Sequence, residues 1–407
     1  MSLPSALIRR NHSVATRCVR LCRALACAWA VLASIAAVAA CGAGVPHPAP
    51  VQVLSNYERA GNTIRRDCGY SSPLPGKPGW SLWLFCDTVI ADARGGKAER
   101  LILGTDTAAV GPYRAGRAPA RLSEISTPPA PLTLPSAGPP QPFLPAPQGL
   151  LLPGGMFPCT GPGAYSASWI SGVTREQSAS AFSGLLISYD DYCVTGNAGS
   201  LTVEGFGLIE YDPASNLLSS PARVFGNVTG LQLPPQQVLG SPVFAGDGYL
   251  YLFGFCPAAA PPAGCGRGRV FLARTVAQPA YWQNPLTYQY WTGGGWSSDE
   301  TAAATLITVG RPLGISVGDY AADGRGLVMV EQTSLAGGFQ AWQARSPTGP
   351  WRLILTGRVP CGRDAQHGTG GLCRAIIGHP ELSTRRQLLI SYFDPGNSHV
   401  DVSAYPW

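Results

Sequence analysis

Five short apolar runs, each closing on a polar or aromatic cluster, recur along this chain: residues 81–88, 184–191, 249–256, 326–333 and 387–394. Each is too short for a buried helix and is rich in branched and aromatic residues. A strand covered on both faces fits this pattern, because a surface strand would interleave polar residues. In an all-β chain such strands need sheets stacked on either side. The radial blades of a β-propeller supply that packing. The runs therefore predict an all-β, five-bladed propeller with short four-stranded blades. A pair of β-sandwiches is the other arrangement these signals fit. Further short strands are expected at 201–211, 269–276, 288–291, 338–345, 351–355 and 400–404.

Composition agrees. With 50 Gly and 38 Pro in 407 residues and only 13% charged residues, tight turns outnumber helices. The formal charge of +6 misleads. Five arginines (Arg9, Arg10, Arg17, Arg20, Arg23) and no acid fall in residues 1–40, so the remainder carries +1. A nearly neutral body has no electrostatic footprint for nucleic acid.

Those arginines precede an apolar stretch, Ala24 to Ala40, in the order of a secretory signal. The stretch ends Val38-Ala-Ala-Cys41-Gly42, which resembles a bacterial lipobox. The expectation is a signal over 1–40, lipidation of Cys41, a tether over 41–60 and the propeller over 61–407. The protein would be exported and held at the outer face of the cell membrane by that lipid alone. Cleaved secretion and an uncleaved anchor are the alternatives. A proline-crowded insertion at about 116–150 is expected to cross the surface between the first two blades.

Eight cysteines follow the lipobox Cys41, an even number that in an exported protein argues for disulfides. Sequential pairing is expected: Cys68–Cys86, Cys159–Cys193, Cys256–Cys265 and Cys361–Cys373. No C-x-x-C pair or suitably spaced histidine supports zinc.

Several segments resemble a known family. Arg66-Asp67-Cys-Gly-Tyr-Ser71, Leu74-Pro75-Gly and Leu82-Trp-Leu-Phe-Cys-Asp87-Thr88 look like the opening blade of five-bladed glycosidase-type propellers. The group they most resemble is an actinobacterial family of unknown function related to D-arabinan-degrading glycoside hydrolases. Segments 284–293, 344–351 and 378–382 fit it as well. The resemblance implies an extracytoplasmic glycoside hydrolase acting on an arabinofuranose-containing or other envelope polysaccharide. It expects a glutamate before the Ser316-Val317 pair, where this chain has Ile315.

Glycoside hydrolysis usually needs two carboxylates, one to protonate the leaving oxygen and one to attack or to activate water. The candidates are Asp67, either Asp190 or Asp191, Asp319 and Glu331. Asp67 stands beside Arg66, whose charge would favour the ionised form. Asp190 and Asp191 are adjacent, so in a strand they face opposite ways and only one addresses the funnel. Tyr70, Asp87, Tyr189, Trp291, His379 and Glu381 are candidate sugar contacts, the aromatic ones because sugar C–H faces pack on ring planes. For most of the rings, wedging between blades is the competing role. Turn capping competes for Asp67 and Asp191, and structural hydrogen bonding for Asp87 and Glu381. No cofactor is expected, the sequence leaves a central structural ion open, and the protein is expected to be a monomer. A non-catalytic propeller that binds glycan or protein is the second reading, motivated by Ile315.

Overall fold

The computed structural model describes residues 52–53, 62–92, 100–102, 106–128, 140–144, 165–175, 184–195, 200–219, 222–226, 238–256, 268–310, 314–361, 372–397 and 399–407. Five separate antiparallel sheets account for nearly all regular structure. Blade one is built on Asn62–Pro73, Trp80–Asp92, Thr107–Pro112 and Ser123–Glu124. Blade two is built on Tyr165–Arg175, Leu185–Thr195, Ser200–Asp212 and Leu217–Leu218. Blade three is built on Val238–Phe244, Tyr249–Phe255, Arg269–Val276 and Gln289–Trp291. Blade four is built on Gly314–Asp319, Leu327–Gln332, Gly338–Ala344 and Arg352–Arg358. Blade five has Arg374–Gly378, Gln387–Asp394 and His399–Pro406, and its outer strand is Gln52–Val53, paired with Asp401 and Val402. The stretch expected to be a tether thus contributes the strand that closes the ring. The lipobox and signal region lie outside the described residues. Among the described residues no helix is long and apolar enough to cross a membrane.

All five apolar runs are the second strand of their blade. That position explains their composition. The second strand has a neighbour on each edge and a blade against each face, so little of it meets water. Five apolar clusters fill the five seams. Leu84, Ile187 and Tyr211 share the seam of blades one and two; Leu186, Phe244 and Leu252 that of two and three. Phe253 and Met329 join three to four, Val330 and Ile390 four to five, and Trp83, Phe85 and Val400 five to one. The described parts of the proline-crowded segment include buried Leu122, Phe143 and Leu144; Phe143 packs edge-on against Tyr211.

The innermost strands run side by side around the axis. Serine hydroxyls tie some of them together: Val317 N donates to Ser241 Oγ and Gly378 N to Ser316 Oγ, both at 3.0 Å. Spacing there is tight. A Cβ on Gly172 would lie 2.6 Å from Pro242 Cδ. Because strands alternate in direction, each mouth of the propeller has its own residues. The leading end holds the starts of the inner strands and the finishes of the second strands. The trailing end holds the reverse.

Candidate active site

Two compensating bulges shape the leading end of blade one. Arg66 pairs with Thr88 and Cys68 with Phe85, so Asp67 alone faces the step Cys86-Asp87. Gly69 is then left over before Tyr70 pairs with Leu84. Such bulges re-aim side chains. The backbone turns left-handed at Cys68 (φ 64°) and Gly69 (φ 113°). Glycine is required at the second position, where a Cβ would also lie 2.8 Å from Val400 Cγ1. The expected Cys68–Cys86 disulfide is present, with Cα atoms 5.4 Å apart, and so is Cys361–Cys373. Cys256 is also bridged. Of the other expected partners, Cys159 and Cys265 lie outside the described residues, and Cys193 falls on the second strand of blade two. A carboxylate oxygen of Asp67 lies within 4.8 Å of both sulfurs of the first bridge; being bonded to each other, those sulfurs are not thiolate ligands.

Asp67 accepts a hydrogen bond from Arg374 Nε of blade five at 2.8 Å, and its other oxygen has no partner. Burial raises the Asp67 carboxyl above the ordinary range; Arg374 opposes the rise and the charge of Asp87 adds to it. The neighbouring cation is therefore not Arg66, as expected. Neighbours in a strand project oppositely. Arg66 turns into the blade, buried, to bond Glu124 at 2.5 Å with its guanidinium 4.1 Å over the Phe85 ring.

Asp87 accepts from Trp169 Nε1 of blade two at 2.9 Å. The half-buried Trp169 ring lies 4.6 Å from that of Tyr192. Ser168 donates to Asp191 Oδ1 at 2.7 Å. Asp190 and Asp191 are both buried. Burial first, then the charge of Asp191, pushes Asp190 well above the usual carboxylate range, against a hydrogen bond from Ser171.

Asp106 completes this cluster and was not foreseen. It is fully buried, and among the described residues no other residue gives its carboxylate oxygens a hydrogen bond. Burial, then the charges of Asp87, Asp191 and Asp67, push its carboxyl well up, against its own backbone amide. A signal existed: Asp87-Thr88 and Asp106-Thr107 are two Asp-Thr steps in one blade, and the two threonine hydroxyls meet at 2.7 Å.

Other candidates go elsewhere. Asp319 is exposed at the trailing end, where it caps Ala321 N at 2.8 Å. Glu331 is fully buried within blade four and accepts from Trp342 Nε1 at 3.2 Å. Ile315, opposite Glu331, is core between blades three and four, so an apolar side chain occupies the place where the resemblance expects an acid. Tyr189 is buried in the first seam, with its ring over Gly207. Trp291 sits on the outer strand of blade three, 5.3 Å from Trp296. Neither is a funnel contact; both rings serve packing.

Tyr70 and Glu381 line a trailing-end cavity of about 250 Å³, to which all five blades contribute. His379 is fully buried behind it, 2.6 Å from Ser71 Oγ and 5.0 Å from the Trp83 ring. Burial drives His379 down to about 3, so it is neutral. Thus the expected single funnel is two mouths. Asp67, Asp87, Asp106, Asp190 and Asp191 belong to the leading end, and Asp319 and Glu381 to the trailing one.

No protein-family model matches this chain, and neither does any curated protein. Solved structures do. A candidate hydrolase from Bacteroides ovatus ATCC 8483 is 14% identical, with TM-score 0.51 over 89% of this chain and 97% of its own. The GH43_1 enzyme from Xanthomonas citri is 9% identical, with TM-score 0.42 over 89% and 91%. A GH43 β-xylosidase/α-arabinofuranosidase from a compost microbial metagenome, in complex with xylotriose, is 8% identical, with TM-score 0.43 over 89% and 95%. At these identities the likeness is one of fold.

Proposed function

We propose that this chain is an exported glycoside hydrolase whose reaction is carried by Asp67 and Asp87. The observation that carries the reading is the bulged step at which Asp67 faces Cys86-Asp87, near enough for the Asp87 charge to act on Asp67, beside the Trp169–Tyr192 ring pair. The ion pair with Arg374 requires Asp67 ionised, which suits the group that attacks the anomeric carbon or activates water. Asp87 then protonates the leaving oxygen. Half-buried aromatic rings next to an acid suit a sugar, whose C–H faces stack on them. The substrate is an envelope polysaccharide, an arabinofuranose polymer in the first instance. That choice rests on the motif resemblance to the D-arabinan-degrading group. The lipobox-like end of the signal motivates anchoring through Cys41 at the outer membrane face, with the protein acting as a monomer.

Incubation with arabinan and other envelope glycans tests the reading. Released oligosaccharides are expected, with the rate lowered about 100-fold or more by Asp67→Asn and by Asp87→Asn. Undiminished cleavage by either variant removes that residue from the mechanism. One observation favours a second reading: Ile315 fills the place of an expected acid. A non-catalytic glycan-binding propeller would retain arabinan on an affinity gel and release nothing.

A further inference from the structure

We propose that the trailing-end cavity is a second binding site, separate from the acids of the leading mouth, for one neutral polyhydroxylated ring, a sugar or a sugar end. Binding there needs no catalysis, so it does not rest on the hydrolase reading. All five innermost strands supply the wall, so the cavity arises from ring closure and belongs to no single blade. At about 250 Å³ it lies just below the roughly 300–1,000 Å³ of sites for drug-sized ligands, which limits its occupant to a small molecule.

Two buried hydroxyls make it more than a packing gap. Ser241 is 2% exposed and Ser316 6%, and both stand in the cavity wall. Ser241 Oγ accepts from Val317 N and Ser316 Oγ from Gly378 N, each at 3.0 Å. A hydroxyl also has a proton to donate. Among the described residues neither proton has an acceptor. A ligand oxygen in the cavity supplies one. Ser241 is held there under strain. It is the extra residue of a bulge, since Gly240 pairs with Phe253 and Pro242 with Leu252. Its backbone is left-handed, φ 45°, which is uncommon outside glycine. Bulges re-aim side chains, and strain of this kind clusters where ligands bind.

The lining selects the ligand class. Glu381 is on the same wall, and among the described residues its Oε2 has no hydrogen-bond partner. An anion answers the serine protons but is repelled by an ionised Glu381. A metal ion answers the carboxylate but not the protons. A sugar hydroxyl both donates and accepts, so it answers all three groups. The rim carries one charge of each sign, the exposed Arg175 and Asp319, and favours neither kind of ion. Pro242, Ile377 and Pro380 offer apolar wall to the C–H face of a ring.

Calorimetric titration of the full chain tests this. The probes are D-arabinose, D-xylose and the methyl glycoside of each, with inorganic phosphate and calcium chloride as charged controls. Saturable binding of a sugar at one site per chain is expected, with none for either ion. Asp67→Asn/Asp87→Asn should bind as the parent does, because those acids belong to the other mouth. Ala322→Trp, at an exposed rim position, should abolish binding by blocking the opening. Ser316→Ala should weaken it about five-fold. In the parent, the amide NMR signals of Val317 and Gly378, which donate to the two hydroxyls, should shift on saturation; this readout needs no variant. Binding of free sugars alone identifies a monosaccharide site, and binding of the methyl glycosides as well identifies a site for chain ends; either supports the proposal. Three results overturn it: no saturation by any of the sugars, saturation by phosphate or calcium instead, or sugar binding that is lost in Asp67→Asn/Asp87→Asn and kept in Ala322→Trp.

Discussion

Arg374 Nε reaches across the seam between the fifth and first blades to Asp67 Oδ2 at 2.8 Å. The arginine side chain is 47% exposed and the carboxylate 14%, so solvent screens the pair and its worth to folding is at most about 1 kcal/mol. Its worth to chemistry is larger, because it opposes the rise that burial and Asp87 impose on Asp67. Arg374→Ala should leave the fold intact and raise the Asp67 carboxyl further. A base must be ionised to act, so the acidic limb of kcat/KM against pH should move to higher pH. Activity on that limb should fall several-fold. An acidic limb that stays put would argue against Asp67 as the base.

Glu381 offers a cleaner test of burial at the other mouth. Ser71 Oγ donates to its Oε1, and Oε2 has no partner. Burial lifts the carboxyl to about 7, against the bonds from Ser71 and its own backbone. A folded-state value above the unfolded 4.5 means that the native protein keeps a proton the unfolded chain has released. Stability tied to Glu381 is therefore full below pH 4.5 and lost as pH rises through 7. Glu381→Gln never ionises. Its melting temperature should match the parent's near pH 4.5 and exceed it by a few degrees at pH 8, with a ceiling of about 3 kcal/mol. Neighbouring His379, held down by burial, imposes the opposite slope below pH 6.5. It is present in both proteins, so the difference between them isolates Glu381. Parallel curves would refute the assignment.

The blades were legible because the second strand is the one place in a propeller that is apolar on both faces and bounded by turns; all five runs fell there. The division into two mouths was legible in principle. Asp394 closes a second strand and Asp87 and Asp191 lie past the midpoints of theirs, whereas Asp319 and Glu381 end or follow inner ones. Antiparallel neighbours reverse direction, so these two sets must lie at opposite ends. Expecting one funnel overlooked that parity. Asp106 was missed because it stands outside any long run and gains meaning only from a hydroxyl contact between distant threonines. The closing strand Gln52–Val53 is two residues long and carries no periodic signal.

Gly207 has its own measurable consequence. It pairs with Tyr189 across the second and third strands of blade two, and a Cβ there would lie 2.1 Å from Tyr189 Cζ. The ring is 5% exposed and locked among Leu84, Ile187 and Tyr211. Gly207→Ala should destabilise by about 1–3 kcal/mol, read as a lowered urea midpoint. Tyr189→Ala alone should cost about 3–5 kcal/mol by leaving a cavity. The double variant should cost less than the two singles together, because the clash has gone. Simple additivity would mean that the ring has another place to go.

The buried pair of Arg66 and Glu124 makes the sharpest stability prediction. Both side chains are 1% exposed, and Arg66 Nε and Nη1 have no hydrogen-bond partner. Two charges taken from water regain that cost only through each other, so losing one leaves the other uncompensated. Glu124→Gln should therefore cost about 3–5 kcal/mol, visible in the denaturant midpoint. Arg66→Met/Glu124→Leu removes both charges and keeps most of the packing on Phe85. It should be near neutral or stabilising. Because Arg66 turns away from Asp67, the double variant should also leave the acidic limb of the pH–rate profile where the parent has it. A shift in that limb would show that Arg66, and not Arg374 alone, acts on the Asp67 carboxylate.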